Sequence, residues 1–311
     1  MKENKLYKLT IIVAAYNVEQ YIKDCISSFL VQKEDWAQLV IVNDGSTDDT
    51  AAIISNMING LSNVSLIQKK NGGLSSARNF GIDFCINNSE YISFLDGDDL
   101  LSNDYLTSFL EHYECNNSDI IEFNIQRFFE KDFTLPIVNI CSTSQKIPMT
   151  SEQFSIILKK YNWHACGRLF KANLFLNNRF TYNRRYEDFI LVPNLYLESK
   201  YIDSINKNLY LYRFNPNSIT RNAKLSDIDD VIFGFQELSN RLNNRQIKLL
   251  KQKVLKHFLS IVINMSPNNR KKAIVTIARF MNISPLVVKP IFSIYFLLFQ
   301  IKQLLKKIKY Y

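Results

Sequence analysis

The chain has 311 residues, of which 47% are hydrophobic and 22% charged, with only 8 Gly and 7 Pro. That composition supports a large buried core and excludes disordered, collagenous and low-complexity chains. The net charge of +9 is unevenly placed: residues 1–204 hold 19 Lys/Arg against 25 Asp/Glu, and residues 205–311 hold 19 against 4. No carboxylate follows Glu237, so the C-terminal region suits an anionic surface, either membrane or nucleic acid. Five cysteines, odd in number and never spaced as CxxC, argue against a disulfide framework or structural zinc and for a reducing, cytosolic setting. Residues 1–10 are polar and lysine-bearing, so no signal peptide is expected.

Leu9 to Ala14 predicts a buried parallel strand that stops at Ala15-Tyr16-Asn17. Residues 19–31 follow with Ile22, Ile26, Phe29 and Leu30 at helical spacing. Leu39 to Val42 predicts a second strand ending at Asn43-Asp44-Gly45-Ser46, with Ser46 or Thr47 capping a helix through Ala51, Ile54 and Met57. Val64 to Ile67 is a third strand, after which Asn71-Gly72-Gly73 turns into a helix through Ala77, Phe80 and Phe84. Tyr91 to Leu95 is a fourth strand, ending at Asp96-Gly97-Asp98-Asp99. Strands alternating with helices imply βαβ units and a mostly parallel sheet. Further on, 119–129 and 201–214 read as extended and 151–160 and 188–198 as helices. Residues 226–245, 246–264, 268–282 and 286–309 read as helices broken near Pro267 and Pro285. The expected layout is an α/β domain over 1–222 and a basic helical region over 223–311.

In an open α/β sheet, ligands bind beyond the carboxyl ends of the strands. Here those ends deliver Tyr16-Asn17, Asp44, Asn71-Gly72-Gly73 and Asp96, Asp98 and Asp99. Three carboxylates within four residues repel one another, and a Mg²⁺ or Mn²⁺ ion shared with phosphates relieves that repulsion. The alternative is a surface turn, in which Asp and Gly are ordinary residues. No GxxxxGK[ST] loop occurs, and Asn71-Gly72-Gly73 lacks the third glycine of a dinucleotide fingerprint; ordinary NTPase and NAD-dependent chemistry are excluded.

TIIVAAYN, VIVNDGSTDDT, KKNGGLSSARNFGI and YISFLDGDDLL, in that order and spacing, resemble the inverting glycosyltransferases of family 2, which have a GT-A fold. The resemblance is strong over residues 8–106 and continues more weakly through Trp163–Phe170, Tyr186-Glu187-Asp188 and Tyr212-Arg213 to Ser218-Ile219. It implies that Ala15, Tyr16 and Asn17 line the nucleotide pocket and that Asp44 reads uracil or ribose. Lys70, Asn71, Gly72 and Arg78 would line the ribose, diphosphate and sugar. Asp96 and Asp98 match the family's DxD, with Asp98 on the metal and Asp96 near the donor sugar, and Arg213 would contact the diphosphate. Asn43 stands where the family often has an acid, and the first strand ends without the usual proline.

The resemblance further implies a metal-dependent transferase, using Mn²⁺ or Mg²⁺, that moves sugar from a UDP-sugar to a saccharide hydroxyl. The acceptor would be lipid-linked and the enzyme peripheral on the inner face of the cell membrane, building capsule, O-antigen or similar polysaccharide. Inverting transfer needs one base at the acceptor hydroxyl; Asp188 matches it, with Glu187 next, although the same pair could cap the helix behind it. Trp163 and His164 either meet the acceptor or pack structurally. A sugar-nucleotide transferase with a phosphate acceptor would need no base. A nucleic-acid-binding protein would leave the acidic cluster without a role, so nucleic acid is not an expected partner. The tail has a nine-residue apolar run, Ile291 to Phe299, too short to span a bilayer of about 20 residues, then Lys302, Lys306, Lys307 and Lys309. It reads as an interfacial membrane helix; the alternatives are packing on the protein's own core or a homodimer interface.

Overall fold

The computed structural model describes residues 5–32, 34–130, 132–133, 135–214, 223–282, 284 and 290. The chain divides into two units, Met1–Asn215 and Pro216–Tyr311. The expected helix over 286–309, and with it the lysine-rich tail, falls outside the described residues apart from Pro290.

The first unit is built on β1 (Tyr7–Ala15), α1 (Ile22–Leu30), β2 (Ala37–Asn43), α2 (Thr50–Ile58), β3 (Val64–Gln68), α3 (Leu74–Cys85) and β4 (Ser89–Asp96). It continues with β5 (Leu100–Leu101), α4 (Tyr105–Cys115), β6 (Ile120–Phe128), β7 (Ile147–Pro148), α5 (Ser151–Lys160), β8 (Arg168–Lys171), α6 (Glu187–Glu198) and β9 (Tyr201–Arg213). One sheet runs in the order β3-β2-β1-β4-β8-β6-β9-β5, with β7 also paired to β9. The first four strands are parallel, as their continuous Ile/Val/Leu runs require of strands buried on both faces. Beyond β4 the sheet is mixed: β8 runs antiparallel to both β4 and β6, and β6 pairs parallel with β9.

Register brings the site together. Ala15 lies opposite Asn43, Ala14 opposite Asp96, and Asn43 opposite Gln68, so four loops leave the same sheet edge. Leu9, Ile11, Val13, Leu39, Ile41, Tyr91 and Leu95 form the core under that edge, packed against α1 through Ile22, Cys25, Ile26 and Phe29. On the other face α3 approaches β1 closely at Gly81, where a Cβ would stand 2.4 Å from the Ile12 side chain.

Two expected local features differ: the cap on α2, and the helix over 226–245, which ends at Ser239 with the next helix beginning at Asn244. Thr150 caps α5, its hydroxyl accepting from the Gln153 N–H at 3.1 Å. Neither Ser46 nor Thr47 caps α2, which starts only at Thr50. Both are engaged instead by the end of β1: the Ser46 hydroxyl accepts from Asn17 N–H at 3.0 Å, and Thr47 N–H donates to Asn17 Oδ1 at 2.9 Å.

The second unit contains α7 (Ser226–Ser239), α8 (Asn244–Ile263) and α9 (Pro267–Met281). Asn243 and Gln246 form a reciprocal capping box on α8. Ile228, Val231, Leu250, Val254, Phe258 and Ile277 make its core, and Phe280 meets Phe235 and Phe258 edge-on at 5.0 and 5.8 Å.

Candidate active site

Asp44, the first residue beyond β2, is buried and organises the loop that follows β3. Its carboxylate accepts from the N–H groups of Gly72 at 3.0 Å and Gly73 at 2.7 Å, and it ion-pairs with Lys69. Asn71 donates to the Asp44 carbonyl at 2.9 Å. Gly45, at φ 73°, leaves room for this loop, since a Cβ there would meet the Asn71 nitrogen at 2.7 Å. The cation on Asp44 is therefore Lys69, which sequence reasoning missed, while Lys70 is exposed. Both lysines lie just beyond β3, and the sequence does not say which of them turns inward. Beside this loop, Tyr16 is 49% exposed and Asn17 adopts a left-handed turn at φ 51°.

The acids after β4 have three different surroundings. Asp96 accepts from Arg78 Nη2 at 3.0 Å. Asp98 is half-buried, its carbonyl accepting from Arg213 Nε at 2.8 Å. Asp99 is buried, accepting from the Tyr210 hydroxyl at 2.5 Å and the Arg213 N–H at 2.7 Å. Burial, and then the charges of Asp98 and Asp96, push the Asp99 carboxyl well above the ordinary range. Arg213 is thus fixed below the turn, stacked over Phe128 and Tyr21 at 4.8 and 5.1 Å.

Arg78 joins the distant parts of the site. It lies on α3, almost wholly buried between Phe94 and Phe180, and its Nη1 donates to Glu187 Oε1 at 3.0 Å and Asp188 Oδ1 at 2.9 Å. One guanidinium therefore gathers Asp96, Glu187 and Asp188, leaving the group net negative. Its Nε has no partner. The other Asp188 oxygen accepts from the Ala165 N–H at 3.0 Å. Tyr186, at φ 61°, turns the chain sharply into α6 and presents both acids to Arg78. Burial, followed by the charge of Asp188, raises the Glu187 carboxyl to about 7 against the opposing pull of Arg78.

Trp163 is buried at 5% exposure, edge-on to Tyr161 and Tyr196, which are the surroundings of a core residue. His164 is exposed beside it. Among the described residues, no group of three His, Cys, Asp or Glu side chains is placed to hold a metal ion.

Residues 10–176, more than half of the chain, match the family described as Glycosyl transferase family 2. The chain belongs to this family. It is 32% identical over 225 residues to the glycosyltransferase GlyA of Streptococcus pneumoniae, covering 69% of this chain and 32% of that protein. It is also 32% identical over 217 residues to the Bacillus subtilis glycosyltransferase EpsJ, covering 68% of this chain and 62% of that one. The chain thus spans about a third of the first relative's length and under two thirds of the second's. Residues 1–349 of S. aureus TarS, solved with UDP-GlcNAc, superpose with a TM-score of 0.70 at 18% identity, covering 88% of this chain and 80% of that one. The fold of this family-2 chain is GT-A, and its mixed sheet beyond β4 is part of that architecture.

Glu187 generates a pH signature. A carboxyl raised from 4.5 to about 7 in the folded state holds its proton there more tightly than in the unfolded chain. Its contribution to stability is therefore fully present below about 4.5 and is lost as pH rises through about 7. Thermal unfolding of the wild type and Glu187→Gln across that window checks this: the variant should show the shallower fall in Tm, and parallel curves would overturn the assignment.

Proposed function

We propose that the chain is an inverting glycosyltransferase that moves a sugar from a UDP-sugar to a hydroxyl of a lipid-linked saccharide during synthesis of a surface polysaccharide. The carrying observation is the Arg78 network, which sets the DxD residue Asp96 and the acidic pair Glu187 and Asp188 around one cation. UDP-GlcNAc bound to the similarly folded TarS supports a uridine nucleotide donor. The exposed Tyr16 and the Asp44-ordered loop form the floor for base and ribose, and Arg213 stands under the diphosphate.

The donor set fits a divalent cation held by few protein contacts. Asp98 supplies a half-buried hard oxygen next to Asp96, whereas Asp99 is tied inward by Tyr210 and Arg213. Asp98, with Asp96, would hold Mn²⁺ or Mg²⁺, which when bound supplies neutralisation of charge on the leaving diphosphate. Asp188 takes the proton of the attacking hydroxyl. Its Oδ2 is oriented by the Ala165 N–H and its charge is balanced by Arg78, so the carboxylate is held in one rotamer. Glu187, which keeps a proton up to about neutral pH, limits the repulsion within the pair.

The membrane setting rests on charge. α8 carries Arg245, Lys248, Lys251, Lys253 and Lys256, and α9 carries Arg270, Lys271, Lys272 and Arg279, with no carboxylate among them. Each such residue adds up to about 1 kcal/mol at an anionic leaflet. Among the described residues no helix is long and apolar enough to cross a membrane.

Three measurements test this reading. A panel of UDP-sugars assayed for slow hydrolysis should identify a donor, and Asp188→Asn should lose about 10²–10⁴-fold of that turnover while still binding UDP. A variant within about twofold of wild type would move the base elsewhere. Asp98→Ala should weaken UDP binding in Mn²⁺ and leave it unchanged in EDTA; equal weakening in both rejects the metal assignment. The full chain should sediment with anionic liposomes at low salt and not with neutral ones, and failure to sediment removes the membrane role.

A further inference from the structure

Behind the acidic pair lies a second buried charge that the reaction itself does not use. Arg168 opens β8 and is 1% exposed, yet all three of its nitrogen positions are bonded. Nη1 donates to the His164 carbonyl and Nη2 to the Asn162 carbonyl, each at 2.6 Å, while Nε donates to the Tyr196 hydroxyl at 2.6 Å. That hydroxyl in turn donates to Glu122, which is fully buried and lies directly opposite Arg168 in the β6–β8 pairing. Glu122 is completed by the Ser142 N–H and by the Ser204 hydroxyl at 3.1 Å. The charge of Arg168 is thus balanced through one tyrosine of α6, the helix whose first turn carries Glu187 and Asp188.

The two carbonyls that Arg168 grips flank Trp163, and the second, of His164, immediately precedes Ala165, whose N–H holds Asp188 Oδ2. A planar fork reaching two carbonyls at once fixes both the position and the tilt of the short segment between them. We propose that Arg168 is a positioning residue: by clamping the 162–164 backbone it aims the Ala165 N–H at Asp188, and so decides which oxygen of that carboxylate faces the acceptor. Glu122 and Tyr196 serve as its anchor. The final step of this inference rests on Asp188 being the base; the clamp on Ala165 does not.

Arg168→Lys tests it in the full-length chain, because lysine keeps the buried charge but cannot hold two carbonyls in a fixed fork. Tyr196→Phe, which cuts the link to Glu122 and leaves the guanidinium in place, is the second variant. Amide hydrogen exchange and hydrolysis of the UDP-sugar found active in the donor panel are read together. In both variants, exchange at Ala165 should accelerate about tenfold or more, while amides in the β6–β8 and β1–β4 pairings keep wild-type protection. Donor KM and UDP affinity should stay within about twofold, and kcat should fall about tenfold or more. Unchanged Ala165 protection, loss spread evenly through β6 and β8, or unchanged kcat beside a loosened Ala165 would each overturn the proposal. If Asp188→Asn hydrolyses donor at the wild-type rate, the base assignment fails on its own, and Ala165 exchange still decides whether the clamp exists.

Discussion

A single buried guanidinium holds this site together. Arg78 brings its charge into the protein with only one of its nitrogens unmatched, and three carboxylates from two distant parts of the chain close around the remainder. Neither side is stable alone: buried Arg78 without the acids would be an uncompensated cation, and the acids without Arg78 would repel one another. Breaking such a buried arrangement by removing one partner typically costs about 3–5 kcal/mol. The position of α6 against the end of β4 is therefore an electrostatic requirement as much as a packing one. Any process that changes the charge of Asp96 also changes the field at Glu187 and Asp188.

The opposite side of the site is ordered by hydrogen bonds to backbone. Asp44 takes the N–H groups of Gly72 and Gly73 and the ammonium of Lys69, and so converts the sequence Lys69–Gly73 from a flexible connection into a shaped wall. Those glycine N–H groups are already bonded, so this wall differs from a phosphate-cradling loop, whose N–H groups must remain open. That difference agrees with the absence of a Walker-type sequence.

Much of this architecture is legible in the chain because its first half obeys local rules. The apolar runs ending at Ala14, Val42, Ile67 and Leu95 are long enough to announce strands, and each is followed by polar or glycine residues that mark the sheet edge. The segments 151–160 and 201–214 are equally readable, the first as a helix and the second as a long strand. What escapes local reading is either short or non-local. β5 and β7 have two residues each, too few to show any period. α4 was absent from the expected elements although Tyr105, Leu106 and Phe109 repeat at helical spacing. β8 inserts antiparallel between β4 and β6, pairing Ser93 with Leu169 and Glu122 with Arg168, contacts between distant parts of the chain for which no local signal exists. The site shows the same division: motif residues can be named in advance, but the pairing of Arg78 with Glu187, 109 positions later, cannot.

The acidic turn illustrates why composition alone underdetermines chemistry. Asp96, Asp98 and Asp99 are near neighbours of one type, and composition and spacing alone give no reason to treat them differently; only the family resemblance singles out Asp96 and Asp98. Position on the sheet edge separates them. Asp96 ends β4 and meets Arg78 from α3; Asp99 points back under the turn to Tyr210 and Arg213 on β9; Asp98, half-buried like Asp96, has its carbonyl pinned from below by Arg213. Tying Asp99 inward anchors the turn on β9. Arg213 holds both Asp98 and Asp99, through its N–H to Asp99 and its guanidinium to the Asp98 carbonyl, so the turn and the floor beneath it move as one unit.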